Sequence, residues 1–198
     1  MTAQASRPAA ALSEAALRDQ TIFRTLLRGL SFPGRVVPLP ALAQAPEPLC
    51  PALSGLMLGL LDQDAGLWLS PGLDCSPVRA FLIHRASVRF VTTPREAAIA
   101  AIGDPADLPG LDDFHPGEPA CPERSTTVLL RVPALTGGPA IALRGPGIET
   151  SAVLAPRGLS AGFWGEWARN HARYPLGIDL IMTDGIGLAG LPRSVGQE

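Results

Sequence analysis

The apolar residues of this chain recur with two different periods, and the change from one to the other marks out its elements. Ile22, Phe23, Leu26, Leu27 and Leu30 fall at helical spacing and predict a first helix over about 19–30. Arg24 and Arg28 lie four apart on its polar side. Ser31-Phe32-Pro33-Gly34 then stops it, because proline disfavours helical geometry at the residue before it. Arg35 to Leu39 reads as a short strand. A Pro-rich connector over 40–48 leads to a second helical face of Leu53, Leu56, Met57, Leu60 and Leu61, ending near Asp62. Leu67-Trp68-Leu69 suits a strand, Pro77 to His84 a helix, and Val88 to Val91 another strand.

Thr93-Pro94-Arg95-Glu96 has the form of a capping box with proline at the first helical position, and predicts a helix from 94 to about 102. The stretch 103–124, rich in Gly, Pro and acid, is too long for a simple turn and reads as an exposed loop open to functional use. From Thr126 the pattern turns to β, with one strand through Val132 and another at Ile141–Arg144. Ser160 is placed to cap a helix carrying Phe163, Trp164, Trp167 and His171, with Arg169 and Arg173 near its negative end. Ile178–Thr183 and Gly187–Leu191 look like a closing strand pair. Early alternation of helix and strand, followed by clustered strands, predicts an α/β fold with a mixed β-sheet flanked by helices.

Composition narrows the function classes. The 198 residues can form one core that buries roughly 70% of the unfolded surface, with 1–18 expected as a flexible segment ahead of a single α/β domain over 19–198. A net charge of −2 leaves no basic field for a phosphate backbone, so nucleic acid is not expected as a partner. Cys50, Cys75 and Cys121 lie far apart, with no paired spacing for zinc or a redox dithiol. The N-terminal stretch lacks a basic region followed by an apolar one, and no window holds 18 unbroken apolar residues, so a cytoplasmic chain without membrane contact is expected. All 16 basic residues are Arg. Without Lys, neither an internal aldimine with pyridoxal phosphate nor a Walker A phosphate loop can be built, while Arg stays available for bidentate contacts to phosphate or phosphonate.

Arg24, Arg28, Arg35 and Arg193 are therefore the ligand-binding candidates, since a helix, a strand start and a C-terminal Pro-Arg could gather guanidinium groups; ordinary surface charge is the plainer reading. Asp179 joins them. It lies in the apolar run Leu176–Met182, where an ionised carboxylate is costly unless paired, and a structural ion pair is favoured over a catalytic acid. Gly145-Pro146-Gly147 reads as a turn rather than a ligand loop, having no GxGxxG spacing. The acids, His115 and Cys121 of 103–124 match no closed metal motif, and His84 and His171 have no GxSxG serine to serve, so no metal ligand and no catalytic residue is assigned. Phe163, Trp164 and Trp167 suit a subunit interface or a core equally well.

Three blocks carry a specific likeness: FRTLLRGLSFPG at 23–34, the LTGG to GPGI region at 135–148, and YPLGIDLIMT to LPRS at 174–194. They resemble the H subunit of the bacterial carbon-phosphorus lyase system of phosphonate metabolism, over about Asp19 to Ser194. The resemblance implies a pyridoxal-phosphate-transferase fold that has lost its cofactor, a homodimer, and membership of a core complex with G, I and J subunits. It also implies a part in a reaction in which alkylphosphonate displaces adenine from MgATP, giving a ribose 1-phosphonate 5-triphosphate. MgATP is then a substrate of the complex, and no cofactor is expected on this chain. Its role is expected to be non-catalytic or site-completing; the alternative is a self-sufficient small transferase that binds phosphonate or nucleotide in a dimer cleft.

Overall fold

The computed structural model describes residues 14–40, 42–62 and 64–198. Helix α1 runs Glu14–Ser31, so the chain is helical from 14 rather than from 19, and residues 14–18 of the expected flexible segment belong to this helix. The rest of that segment, 1–13, lies outside the described residues. Ile22 and Leu26 turn inward as the spacing predicts, whereas Phe23 and Leu27 of the same apolar set face out. Strand β1 (Val37–Pro38) and helix α2 (Pro51–Leu60) follow, the helix opening on Pro51 with the Cys50 sulfur accepting from the Leu53 amide at 3.5 Å. Strand β2 (Gly66–Leu69), helix α3 (Ser76–Ala86) and strand β3 (Arg89–Phe90) agree with the periodicity to within a few residues.

The expected helix over 94–102 does not form. Thr93-Pro94-Arg95-Glu96 closes only a single 3-10 turn, Pro94–Glu96, and the chain then extends into strand β4, Ile99–Ile102. The Glu96 carboxylate accepts from the amides of Thr93 and Thr92 at 3.2 and 3.3 Å; that bonding, led by the Thr93 amide, holds its pKa below the usual carboxylate value. All four residues of β4 are buried, so helix-favouring alanines are recruited into the middle of a sheet. The 103–124 stretch is not a plain exposed loop either. It contains three 3-10 turns, and Leu111 and Phe114 drive into the core, Phe114 meeting Trp68 edge-on at 6.4 Å.

Strand β5 (Thr127–Arg131) continues the main sheet, but β6 (Ile141–Arg144) leaves it and pairs with β7 (Ala152–Leu154), a strand the periodicity does not reveal. Helix α4 is Phe163–Ala172; Gly162 stands at its N-cap, and Ser160 contributes its carbonyl to the Phe163 amide rather than a capping hydroxyl. Strands β8 (Asp179–Thr183) and β9 (Gly187–Leu191) form the expected antiparallel pair, and β10 (Gly196–Gln197) ends the chain against β6.

The result is an α/β arrangement with a mixed sheet of seven strands in the order β1-β9-β8-β5-β4-β2-β3, and a small antiparallel sheet, β10-β6-β7. From β3 to β8 the neighbours are parallel, and β9 runs against them. Side chains alternate between two cores. Ile99, Ala101, Leu129 and Ile181 point to the face covered by α1, α2 and α3, while Ala100, Ile102, Val128, Leu130, Leu180 and Met182 point to the face covered by α4, the small sheet and the 103–124 stretch.

Helix α1 lies against β9 through bare backbone. A Cβ on Gly190 would stand 2.5 Å from the Gly29 carbonyl oxygen, closer than any side chain can be packed. Gly165, by contrast, is exposed within α4 with open space around its Cα. Gly190→Ala is therefore expected to lower the unfolding free energy by about 1–3 kcal/mol, and Gly165→Ala to raise it by about 0.5–1 kcal/mol. Urea denaturation of the two variants checks both signs.

Candidate functional site

Parallel strands β2, β4, β5 and β8 all end at one edge of the sheet. The chain leaves β2 towards β3 on one side and returns to β4 on the other, so connections diverge between β2 and β4. A cleft lies to one side of that point, at the same carboxyl edge where open α/β sheets hold ligands. Gly103-Asp104-Pro105 follows β4, Arg131-Val132-Pro133 closes β5, and Asp184 follows β8; together they line this cleft, of about 300 Å³. The cleft is held open by local bonding. The Val132 amide donates to the Thr183 carbonyl at 2.8 Å, the Asp104 carboxylate accepts from the Ala106 amide at 2.8 Å, and the Asp184 carboxylate accepts from the amides of Ile186 and Gly187 at 3.2 and 2.9 Å. Next to it the Gly103 amide donates to the Ser70 hydroxyl at 3.3 Å, tying the end of β4 to the end of β2.

Arg131 is the cation of this cleft. Its side chain is exposed and, among the described residues, makes no ion pair or hydrogen bond, so its guanidinium is free to meet phosphate or phosphonate oxygens. Asp104 and Asp184 each retain carboxylate lone pairs beyond those that accept the Ala106, Ile186 and Gly187 amides. No group of three metal-ligating side chains is found among the described residues. Arg131 was not among the candidates drawn from the sequence. Its signal was an arginine ending an apolar strand just before Val-Pro, which is informative only once that strand is known to be parallel to its neighbours.

The five candidates from the sequence are not gathered into one site. Arg193 and Asp179 find each other. Arg193 donates through Nε to Asp179 Oδ1 at 3.1 Å and through Nη2 to Oδ2 at 2.5 Å, its backbone amide reaches Oδ1 at 2.9 Å, and Nη1 reaches the Pro122 carbonyl at 2.8 Å. The side chains are only 13% and 22% exposed, so this fork is committed to joining the start of β8, the C-terminal segment and the 103–124 stretch. Arg24 and Arg28 lie exposed on α1, and Arg35 sits 5.3 Å over the Phe32 ring, away from the cleft.

Phe163 and Trp167 are buried against each other in the core, and the Trp167 indole donates to the Val195 carbonyl at 2.9 Å; of the three aromatic interface candidates, Trp164 alone keeps exposed surface. Gly145-Pro146-Gly147 is a turn, with Gly147 at φ +83° and a Cβ there blocked by the Ser31 carbonyl. In the 103–124 stretch Asp112 pairs with Arg173 at 2.6 Å, and His115 Nδ1 accepts from the Gly117 amide at 3.0 Å. A second groove, between α1, α2 and α3, is lined by Ile22, Leu42, Leu58 and Phe81 with Asp19 and Arg85.

Comparison with known proteins follows this geometry. Residues 10–198 match the family described as bacterial phosphonate metabolism protein (PhnH). The chain is 36% identical over 198 residues to the alpha-D-ribose 1-methylphosphonate 5-triphosphate synthase subunit PhnH of Rhizobium meliloti (strain 1021), covering 100% of this chain and 99% of that protein. It is 35% identical over 182 residues to HtxG of Stutzerimonas stutzeri, named as a C-P lyase subunit, covering 89% of this chain and 84% of the relative.

The Asp179–Arg193 fork makes a quantitative prediction. Arg193→Met leaves a mostly buried carboxylate without its partner and is expected to cost about 3 kcal/mol. Asp179→Leu combined with Arg193→Met should cost less than the two single changes added together. A double-mutant cycle by urea denaturation measures the coupling; strict additivity would show that the two groups do not depend on each other.

Proposed function

The chain belongs to the bacterial phosphonate metabolism protein (PhnH) family, and we propose that it acts as a site-completing subunit of a carbon-phosphorus lyase complex. In this reading it forms a homodimer in the cytoplasm and assembles with G, I and J subunits, and the complex displaces adenine from MgATP with an alkylphosphonate to give a ribose 1-phosphonate 5-triphosphate. The observation that carries the reading is the end-to-end match to a subunit whose name specifies that product. The mixed sheet with its antiparallel strand β9 is compatible with the transferase-like fold that the resemblance implies, and a chain without Lys agrees with the loss of that fold's cofactor.

What this chain can contribute follows from its residues. A triphosphate or a phosphonate gathers negative charge that Arg131 can neutralise at the sheet edge, while Asp104 and Asp184 can orient the magnesium that accompanies the nucleotide. Displacement at a ribose carbon needs alignment of nucleophile and leaving group, and a cation at a strand end can hold the charged tail of the substrate while that alignment is reached.

Reconstitution tests this. Adenine release from MgATP and methylphosphonate should require the chain together with the other subunits. Arg131→Gln, in an assembly of unchanged mass, should lower kcat/KM for MgATP by about tenfold or more, the loss expected for one charge-assisted contact. Undiminished release without the chain contradicts the subunit role; an unchanged kcat/KM in the variant contradicts the cleft.

A further inference from the structure

Beside the cleft of Arg131 lies a smaller pocket, of about 170 Å³, and Pro105 lines both. It forms where the 103–124 stretch meets the start of α4. Leu108, Pro109 and Phe163 supply apolar wall, and Ser160 and Glu166 are its polar side chains. Both walls are bonded in place. On one side the Asp104 carboxylate accepts from the Ala106 amide at 2.8 Å, and the Asp107 carboxylate accepts from the Gly72 amide at 3.3 Å, which pins the turn Pro105–Asp107. On the other, Glu166 accepts through Oε2 from the Leu111 amide at 2.8 Å, joining α4 to the stretch it faces. Where cleft and pocket meet, the segment after β7 packs as bare backbone: Gly158 has φ +91°, and a Cβ on it would stand 2.7 Å from Pro133 Cδ and 3.3 Å from Pro105 Cγ. A pocket fixed in this way receives a ligand without first having to be ordered.

We propose that this pocket holds the adenine base of the nucleotide whose phosphates meet Arg131, with Glu166 accepting a hydrogen bond from the exocyclic amino group. The inference rests on the MgATP reading above and adds to it the residue that selects the base. Charge divides the two hollows. The cleft carries the arginine that suits phosphate, whereas the pocket lining has no cation and its Glu166 repels one more anion. An ionised carboxylate only accepts. Glu166 forms no ion pair among the described residues and Leu111 engages Oε2, so Oε1 is left for a ligand that donates an N–H. The Ser160 hydroxyl gives or accepts as a ring nitrogen requires. Apolar wall, one acceptor and one hydroxyl together fit a flat heteroaromatic ring with a single amino substituent. A guanine presents two adjacent donors and calls for both carboxylate oxygens side by side, one of which Leu111 already holds.

Base release is measured on the full chain assembled with the G, I and J subunits, with methylphosphonate and either MgATP or the magnesium complex of purine riboside triphosphate, which lacks the amino group. Glu166→Gln keeps an oxygen for the Leu111 amide and turns a donor towards the base. It should lower kcat/KM for MgATP by about tenfold and leave that for the analogue unchanged, a split that a merely structural role of Glu166 does not produce. Ser160→Leu, at an exposed position, narrows the pocket and should lower kcat/KM for both nucleotides by about tenfold or more, with KM for methylphosphonate unchanged. Equal loss on both nucleotides in Glu166→Gln, or an unchanged kcat/KM for MgATP in either variant, overturns the base pocket. Arg131→Gln still lowering that value then leaves the cleft and the subunit reading intact. Undiminished adenine release without the chain overturns the subunit reading, and the proposal with it.

Discussion

Burial of β4, β5 and β8 on both faces is the constraint on which the rest of the structure depends. A parallel strand in the middle of a sheet has its backbone groups satisfied by neighbours and must hide its side chains above and below. Here Ile99, Ala101, Leu129 and Ile181 fill one face, and Ala100, Leu130, Leu180 and Met182 the other. Two different covers are therefore needed: three helices on one side, and on the other α4, the small sheet and the 103–124 stretch. No polar chemistry can be placed within the sheet without a desolvation cost, so function is pushed to the strand ends and to the outer surfaces of the covering elements.

The two ends of β8 show that division. At its start, Asp179 is locked by Arg193 into a fork that also engages Pro122, closing the amino edge of the sheet with a structural ion pair. At its end, Thr183 accepts from the Gly185 amide and donates to the Gly187 carbonyl at 2.7 Å, setting a tight return to β9 that leaves Asp184 beside Arg131 at an open edge. The same kinds of residue thus serve stability at one end and remain available to ligand at the other. What differs is whether the acid and the base are near enough to consume each other.

Much of this architecture was legible in the sequence. The helical spacing of Leu53 to Leu61 and the apolar strands at 127–131 and 179–183 reflect burial directly, and burial is what periodicity reports. The failures have a physical pattern. Ala97 to Ile102 has a helix-favouring composition behind a good capping signal, yet it is a fully buried strand because tertiary burial outweighs intrinsic propensity. Phe23 shares the helical spacing of the inward residues of α1, and spacing cannot separate an apolar side chain facing the core from one facing solvent. Strands β7 and β10 are too short to show a period. The five charged candidates were chosen for their chemistry alone. Asp179 and Arg193 pair through space across a separation that the sequence does not reveal, and Arg131 gains its meaning only from strand order.

The central claim is that the carboxyl edge of the sheet binds substrate once this chain is in its assembly. Amide hydrogen exchange measured on the chain, free and assembled, with and without MgATP, tests it most directly. The account predicts that MgATP slows exchange around Gly103–Asp107 and Asp184–Gly187 in the assembly and leaves the free chain unchanged. Slowed exchange at these segments in the free chain would contradict site completion and favour a self-sufficient binding site. No change there in either state would contradict the cleft itself.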